Sequence, residues 1–407
     1  MSDKKKILFV DDERNILEAL HRMLRSMRQE WDMTFAGSGQ EALDILAKKP
    51  FDLIVSDIRM PGIDGVQLLQ EAKTKYPHMA RIALSGQTSK ESILRSVGPI
   101  HQYLSKPCDM ETLKTTITRV CALQNLLSNE KLQSFISQLE SLPCMSSLYN
   151  KLIEELKSED ASIKRVGEII SQDVGMSVKI LQLVNSAFFG IRQHVSNIPQ
   201  AVSLLGLETI KALVLSVKIF SQFTGIPLEK FSHNTFMEHS FAVSEWARLI
   251  ARAENMDKKL IDYTMVAGML HDVGKLILAA KIPLEYAKVL SLTESKEITL
   301  IEAEKEVIGS THAEVGAYLL GLWGFSNPIM EALAFHHQPA EVLKKEFSVL
   351  TAVYAANILT HEIRPVAYNK KRNLQIDENY LEELGLSDRL SVWKKACPER
   401  LKATCQI

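Results

Sequence analysis

The stretch FDLIVSDIRMPGIDG, residues Phe51 to Gly65, decides the fold of the first part of the chain. A short apolar run from Leu53 to Val55 leads into Asp57, and a loop with proline and glycine follows. This pattern predicts a buried strand that ends at an aspartate. Ligands bind at the carboxyl ends of the strands in an open parallel α/β sheet, so Asp57 is a candidate functional residue. The alternative is a loop aspartate that only caps the next helix.

Composition narrows the class of protein. The chain has 407 residues, 46% of them hydrophobic, which is enough for two or three domains with large cores. With 48 basic and 49 acidic residues the net charge is -1, so we expect no nucleic-acid partner. The five cysteines form no C-x-x-C pair, and their odd number is typical of a reducing cytosol.

Neither a targeting segment nor a membrane span is predicted. The basic start, Met1 to Lys6, runs into a short apolar stretch and then acidic residues, which is not the pattern of a signal peptide. The most apolar long stretch, residues 201–220, carries Glu208, Lys211 and Lys218 and therefore reads as a core helix. We expect a cytoplasmic protein with no membrane partner.

Strand and helix patterns alternate through the first 120 residues. The predicted strands are Ile7 to Val10, Trp31 to Phe35, the Asp57 strand, Arg81 to Leu84 and Gln102 to Leu104. The predicted helices are Asn15 to Met27, Glu41 to Ala47, Val66 to Lys75 and Lys90 to Val97. Alternation on short loops predicts a doubly wound, parallel, five-stranded α/β sheet with helices on both faces.

Polar residues follow the predicted strands on one edge of this sheet: Asp11 and Asp12, Asp57, Ser85 and Lys106. Clustered carboxylates repel one another unless a hard cation joins them, and Mg²⁺ prefers oxygen ligands. Asp57 could then attack a phosphoryl donor, while Ser85 and Lys106 contact the phosphoryl oxygens. The alternative is a set of unrelated polar residues at strand ends.

These motifs resemble the receiver domain of two-component response regulators over about Lys5 to Leu126. The resemblance rests on the Asp11-Asp12 pair, on Asp57 with the following Met60-Pro61 and Asp64-Gly65, on Ser85-Gly86 and on Lys106-Pro107. It implies that Asp57 accepts a phosphoryl group from a histidine kinase or phosphotransfer protein, with Mg²⁺ bound by Asp12 and Asp57 and Asp11 assisting. It also implies that Tyr103 is the switch aromatic.

The segment that leaves the receiver, Met110 to Ser137, is predicted as one continuous helix. Its apolar positions, Leu113 to Leu127, fit a dimerising coiled coil, although Gln124 and Lys131 interrupt the seam. The alternative is a last receiver helix packed on its own sheet, with residues 127–140 as a helical linker. The sequence therefore leaves open whether the chain forms a homodimer.

No convincing strand pattern follows Ser141, and successive amphipathic segments predict an all-α domain over residues 141–407, with its core at about 141–340. The segments LPCMSSLYNKL, QDVGMSVKILQLVNSAFFG and IPQAVSLLGLETIKALVLS resemble the first half of an HDOD domain, an HD-related output domain of bacterial signalling proteins. The pair Asn185-Ser186 matches the signature of that family.

Histidines mark the second half of this domain: His239, His271 with Asp272 in HDVGK, His312, and the adjacent His336 and His337. Their order resembles the HD phosphohydrolases, in which histidines and aspartates hold divalent metals that activate water. The alternative is that these histidines are buried core residues that bind no metal.

Two departures weigh against an enzyme. Asn357 stands where those hydrolases have a further aspartate, and Gln338, Pro339 and Ala340 follow the histidine pair in place of a GYP loop. We therefore expect an HDOD output domain that acts by contact with a partner protein and carries a remnant metal site. A receiver-regulated, metal-dependent phosphohydrolase for a nucleotide or cyclic dinucleotide is the alternative.

Overall fold

The computed structural model describes residues 4–85, 99–123, 126–127, 129–140, 142–144, 146–158, 160–185, 195–211, 213–214, 221–222, 231–342, 346–363 and 375–396. The helix predicted at Lys90 to Val97 and the predicted signature residue Ser186 lie outside these ranges.

A five-stranded parallel sheet forms the first module, as predicted. Its strand order is β2-β1-β3-β4-β5. Its strands are β1 (Lys5–Val10), β2 (Trp31–Ala36), β3 (Leu53–Asp57), β4 (Ala80–Ser85) and β5 (Gln102–Ser105). Its described helices are α1 (Arg14–Met23), α2 (Gly39–Leu46), α3 (Gly65–Lys75) and α4 (Met110–Leu123), and a 3-10 turn covers Leu24–Gln29.

Apolar side chains of the central strands cover both faces of this sheet. Ile7 and Phe9 belong to one buried cluster, whereas Leu8 and Val10 belong to another. All five residues of β3 are buried. Because successive side chains of a strand point to opposite faces, a continuous apolar run is stable only in a sheet that is covered on both sides.

The prediction of one continuous helix from Met110 to Ser137 is wrong. Helix α4 ends at Leu123 and a separate helix, α5 (Glu130–Ile136), begins after Asn129. The Asn129 side chain accepts a hydrogen bond from the Leu132 N–H and so caps the new helix. The apolar positions assigned to a coiled-coil seam, Leu113 to Leu127, are buried within the chain, which favours the packed receiver helix.

In its described residues, the second module is built from helices, as predicted, except for one pair of two-residue parallel strands, β6 (Pro143–Cys144) and β7 (Ser221–Gln222). Its described helices are α6 (Ser146–Lys157), α7 (Ile163–Ser171), α8 (Val174–Asn185), α9 (Ile198–Leu205), α10 (Leu207–Lys211), α11 (His233–Ala253), α12 (Lys258–Leu270), α13 (Val273–Lys281), α14 (Pro283–Ser295), α15 (Leu300–Val307), α16 (His312–Leu322), α17 (Asn327–Phe335), α18 (Val349–Ile363), α19 (Glu378–Glu383) and α20 (Arg389–Ala396). A 3-10 turn covers Pro339–Glu341.

Helices α11, α12 and α18 pack together at the centre of this module, and α17 packs on both α16 and α18. Large side chains such as Trp246 and Tyr318 are fully buried there. One continuous apolar cluster joins this core to one face of the receiver sheet. Within the ranges described, no helix has the length and apolar character needed to span a membrane.

Candidate functional site

An acidic pocket lies at the carboxyl ends of β1 and β3. Asp11 and Asp57 are buried and Asp12 is exposed. Each of the three offers a carboxylate oxygen, and these oxygens lie within 4.8 Å of one another. Parallel strands end at the same edge, which is why residues far apart in sequence meet here.

Lys106 follows β5 and closes this pocket. Its Nζ lies 2.7 Å from Asp11 Oδ2 and 3.0 Å from Asp57 Oδ1. Burial raises the pKa of Asp57, and the Lys106 ammonium only partly offsets that effect. Burial alone would lower the pKa of Lys106, but the Asp11 and Asp57 carboxylates raise it above its ordinary value.

The other two residues predicted for this site lie on neighbouring strands. Ser85 is the last residue of β4, beside Ser105 of β5, and its side chain lies outside the described part of the chain. Tyr103 is on β5, half-buried, and packs against the apolar cluster that contains Leu8 and Ile54.

The acidic pocket fits a hard divalent cation, because three carboxylates converge on one point while the single ammonium of Lys106 contacts two of them. Mg²⁺ bound by Asp11, Asp12 and Asp57 would neutralise the charge of an incoming phosphoryl group. The residues themselves provide a carboxylate oxygen at Asp57 and a fixed cation at Lys106.

A second cluster surrounds Asp272 in the helical module. Asp272 Oδ1 lies 3.2 Å from His312 Nε2 and 3.5 Å from His336 Nε2. Asp272 Oδ2 lies 3.4 Å from His271 Nε2 and 3.7 Å from His239 Nε2. His337 Nε2 lies 3.0 Å from His312 Nε2. The predicted histidines, which are spread over about a hundred residues, therefore meet around one buried carboxylate.

Helix ends position these side chains. His271 is the C-cap of α12 and Asp272 is the N-cap of α13. His312 is the first residue of α16, and His336 is the C-cap of α17. The turn in HDVGK requires Gly274, because a Cβ there would lie 1.9 Å from the backbone oxygen of His312. Glycine therefore lets the HD turn and the start of α16 touch.

Two of the histidines have a defined tautomer. His271 Nδ1 and His336 Nδ1 each lie 2.8 Å from a backbone oxygen, that of Gly268 and Leu333 respectively. A carbonyl can only accept, so both Nδ1 atoms carry a proton and both Nε2 atoms face Asp272. Among the residues that the structure describes, neither Nε2 atom has a hydrogen-bond partner, and Asp272 Oδ1 also lacks one.

Asn357 on α18 lies at the edge of this cluster, where its Oδ1 is 3.1 Å from His239 Nε2. An amide oxygen accepts, so His239 Nε2–H donates to it in this arrangement. A neutral amide oxygen, not a carboxylate, therefore faces His239 at this position.

Three residues of the cluster were missed by sequence reasoning. Lys275 Nζ lies 2.6 Å from Asp272 Oδ2, Glu304 accepts hydrogen bonds from the backbone N–H and the Nδ1–H of His312, and the ring of His361 lies 4.6 Å from that of His239. The only signals were spacing on a helix: Lys275 is three residues after Asp272, and His361 is four after Asn357.

Burial lowers the pKa of most of these histidines. The pKa of His336 and of His361 falls to about 4, and those of His239 and His337 lie well below the ordinary value. His312 differs, because the Glu304 carboxylate outweighs burial and raises its pKa. His239, His336, His337 and His361 are therefore neutral imidazoles, whereas His312 favours a positive charge.

Each of the two modules matches a known domain family. Residues 7–118 match the response regulator receiver domain, and residues 142–339 match the HDOD domain. The chain therefore has an N-terminal receiver domain followed by an HDOD domain. The receiver of a Pseudomonas fluorescens Pf-5 HD domain-containing protein is 31% identical and covers 30% of this chain and 98% of its own, with a TM-score of 0.29.

Other relatives resemble parts of the chain. A Geobacter sulfurreducens HDOD domain protein is 22% identical over 72% of this chain and 98% of its own, with a TM-score of 0.40. The hydrogenase transcriptional regulatory protein HoxA of Cupriavidus necator is 36% identical over 31% of this chain and 26% of its own. The chain spans less than half of the length of the curated relatives, 47% for a Treponema pallidum protein.

The receiver contacts the HDOD domain through β5 and α4. Gln102 Nε2 donates to Gly321 O at 3.0 Å, and Arg119 Nη2 donates to Gln102 Oε1 at 2.8 Å. Leu123 packs against the Cα of Gly321, with no room for a Cβ there. The receiver strand that carries Tyr103 therefore touches the C-terminal end of α16, the helix that begins with His312.

A second contact joins the receiver to the segment after α5. The buried guanidinium of Arg81 and His101 Nε2–H both donate to Ser137 O, at 2.7 and 2.8 Å. Lys73 pairs with the side chain of Glu140, and Lys179 of the HDOD domain donates to the backbone oxygen of Glu140. This segment is therefore held from both modules.

Asn185, from the predicted signature pair, has a structural role. Its amide group donates to Val195 O at 2.6 Å and accepts from Val195 N–H at 2.7 Å. Asn185 thus holds Val195, at the beginning of the segment that leads into α9.

Proposed function

We propose that the chain is a two-component response regulator in which phosphorylation of Asp57 controls the HDOD domain through protein contacts. The single observation that carries this proposal is the pocket in which Lys106 Nζ contacts both Asp11 and Asp57 while Asp12 completes the carboxylate set. The donor is a histidine kinase or a phosphotransfer protein, because receiver domains interact with such proteins. With such a donor, we propose that the chain acts in the cytoplasm.

Each residue of the pocket has a role in this proposal. An Asp57 oxygen attacks the phosphorus, forming an O–P bond as the P–N bond of a donor phosphohistidine breaks. Lys106 holds a phosphoryl oxygen as a point charge, and the Ser85 hydroxyl donates to another. Bound Mg²⁺ supplies charge neutralisation. Tyr103 is the residue whose rotamer follows Ser85.

The contact between β5, α4 and α16 is the path by which the HDOD domain responds. A shift of β5 or α4 changes the hydrogen bonds of Gln102 and the packing of Leu123 on Gly321. Helix α16 carries any such shift to His312. The response is a change of population, limited by the difference in affinity of the phosphoryl group for the two states.

We assign residues 1–126 to the receiver, 127–140 to the linker and 141–407 to the HDOD domain. The family matches at 7–118 and 142–339 support these divisions. The proposed output is contact with a partner protein. A homodimer is the alternative output, and a mass measurement with and without beryllofluoride would reveal it.

The test is modification of Asp57. With Mg²⁺ and acetyl phosphate, we expect the intact mass of the chain to increase by one phosphoryl group. Asp57→Asn should abolish the increase, whereas Asp44→Asn, an exposed aspartate on α2, should leave it unchanged. Hydrogen exchange of α4 and α16 should change with beryllofluoride in the wild type only. Equal labelling of the Asp57→Asn protein would contradict the assignment.

The second candidate function is a metal-dependent phosphohydrolase. The observation that favours it is the Asp272 cluster, in which His271 Nε2, His336 Nε2 and Asp272 Oδ1 are buried without hydrogen-bond partners. Buried acceptors that face each other fit a divalent cation, and we propose that the cluster binds one. Such a cation would activate water, while the residues themselves hold it and exclude solvent.

Hydrolysis of cyclic di-GMP is nevertheless expected to be undetectable. Asn357 removes one negative charge from the ligand set, and the GYP loop is absent from the sequence after His337. The assay uses the full chain with Mn²⁺ or Mg²⁺, followed by chromatography of the nucleotide products. Robust turnover that disappears in His271→Ala would reverse the order of the two candidates.

A further inference from the structure

The two edges of the receiver sheet have different surroundings. At the β5 edge, Gln102 donates to Gly321 O of the HDOD domain, so the HDOD domain covers part of this edge. At the opposite edge, β2 packs on β1, on α2 and on the 3-10 turn at Leu24–Gln29. In the described part of the chain, no strand pairs with the outer side of β2. An unpaired edge offers backbone N–H and C=O groups to a further strand.

A groove of about 530 Å³ lies beside the first half of β2. Trp31, which is buried, and Met33, which is half-buried, provide its apolar lining. The other lining side chains come from the start of β1 and from the segment that connects β1 to β2, and most of them are exposed. The groove therefore has an apolar part and a polar part next to the open edge.

Cations dominate the polar part of the groove. Lys4, Lys6 and Arg28 line it together with one carboxylate, that of Asp32. Among the residues that the structure describes, none of these three cations has an ion pair, whereas other exposed lysines of both modules pair with glutamates. The groove therefore has a positive charge that the described chain does not neutralise, and it attracts anionic groups.

The guanidinium of Arg28 is held in position at the groove. Its Nη2 donates to His21 Nε2 at 2.6 Å, because a guanidinium can only donate. The His21 ring lies edge-on against the ring of Phe35 of β2, at 5.3 Å. Lys4 Nζ donates to the backbone oxygen of Arg28 at 2.8 Å. Two of the cations are therefore ordered before any ligand binds, which lowers the entropic cost of binding.

We propose that this edge docks an extended acidic segment of a partner protein, which adds a strand beside β2 and places its carboxylates near Lys6 and Arg28. Main-chain hydrogen bonds to β2 would provide affinity, and the cations would select acidic side chains. A second copy of the same edge would bring like charges together, so self-pairing is disfavoured. A nucleic acid has the negative charge but no peptide backbone to pair with β2.

This surface is separate from the phosphorylation pocket. Lys4 and Trp31 lie at the start of β1 and β2, whereas Asp57 is the last residue of β3. Strand β1 has six residues and spans about 20 Å. Because the groove and Asp57 lie at opposite ends of the strands, a docked segment leaves the phosphorylation pocket open.

The test uses the full-length chain and a fluorescein-labelled peptide in which glutamate alternates with threonine. A second peptide has glutamine in place of glutamate. A third keeps the glutamates but carries N-methyl groups on alternate backbone nitrogens, so that it cannot add a strand. Fluorescence anisotropy gives the affinities, and hydrogen exchange reports the protection of residues 31–36.

We expect the acidic peptide to bind and to protect residues 31–36, and the two control peptides to bind about 10-fold or more weakly. The double variant Lys6→Glu, Arg28→Glu should weaken binding by a similar factor. The matched control is Arg14→Glu, Lys75→Glu, which makes the same change of charge on exposed receiver cations outside the groove. Its affinity should stay within about twofold of the wild type.

Other results would contradict the proposal. No binding of the acidic peptide, or no added protection of residues 31–36, would show that the lysines only guard the edge against pairing. Equal binding of the N-methylated peptide would exclude strand addition. An oligothymidylate that binds more tightly than the peptide, and does so only with Lys6 and Arg28 intact, would identify a nucleic-acid site instead. Circular dichroism of each variant checks that it is folded.

Discussion

At the scale of single residues, Glu304 illustrates how a buried charge is tolerated. It is fully buried, and it accepts hydrogen bonds from both the backbone N–H and the Nδ1–H of His312 at 2.8 Å. The Tyr286 hydroxyl lies 3.5 Å from its other oxygen. Two strong donors thus replace the water that the carboxylate loses on folding.

We predict that Glu304→Gln lowers the free energy of unfolding by about 1–3 kcal/mol, because a neutral amide oxygen accepts the two His312 hydrogen bonds more weakly than a carboxylate does, and the amide NH₂ replaces the oxygen that lies 3.0 Å from His312 Nδ1. The measurement is urea unfolding in the presence of a chelator, so that metal does not contribute. The matched control is Glu306→Gln on the same helix, whose half-exposed carboxylate pairs with Lys296. That change should cost less than about 0.5 kcal/mol. Equal effects of the two variants would contradict the role assigned to Glu304.

At the scale of elements, α16 links the two modules. Its first residue, His312, belongs to the Asp272 cluster, and its C-terminal turn contacts Gln102 and Leu123 of the receiver. The helix has 11 residues, which spans about 16 Å at 1.5 Å per residue. A Cβ at Gly321 would lie 2.5 Å from Leu123 Cδ1 and 2.7 Å from Met330 Sδ. The packing of the modules therefore depends on a glycine.

We predict that Gly321→Ala destabilises the protein by about 1–3 kcal/mol through overpacking. Leu123→Ala alone should cost about 2–5 kcal/mol through the cavity that it leaves. In the double variant the smaller side chain makes room for the new methyl group, so the combined cost should be below the sum by about 1 kcal/mol or more. Urea unfolding of the four proteins measures this difference. Simple additivity would mean that Leu123 and Gly321 are not in contact.

At the scale of the whole molecule, buried polar groups at the contact between the modules make the folded state sensitive to acid. His101 is buried, and its Nδ1 accepts from the Arg81 N–H while its Nε2–H donates to Ser137 O. Burial lowers the pKa of His101 well below its ordinary value, and the nearby Arg81 and Lys73 charges lower it further. His101 is therefore neutral when the protein is folded.

We predict a loss of stability on acidification that depends on His101. Its unfolded form binds a proton near pH 6.5 and its folded form does not, so its contribution is complete above that pH and is lost as the pH falls toward the folded pKa. Between pH 7.5 and 5.5 the loss should be about 1.4 kcal/mol. Over the same pH range, the free energy of unfolding of His101→Asn should fall by about 1.4 kcal/mol less than that of the wild type. The two proteins are compared by urea unfolding at both pH values, and parallel profiles would contradict the prediction.

The sequence by itself determined the elements and the order of the chemical groups. Period-two and period-3.6 patterns marked strands and helices, and short loops between them required a parallel sheet. Because parallel strands end at one edge, the positions of Asp11, Asp57 and Lys106 after their strands were enough to predict that they meet. The histidine order likewise indicated the HD-related cluster.

Only the tertiary structure decided how the modules meet and what surrounds Asp272. The break after Leu123 depends on Asn129, whose side chain both caps α5 and donates to Ile308 O of the HDOD domain. The roles of Lys275, Glu304 and His361 depend on distances between helices that no local period encodes. Local patterns record which face of an element is buried, whereas the partner on that face is selected by packing among residues far apart in the chain.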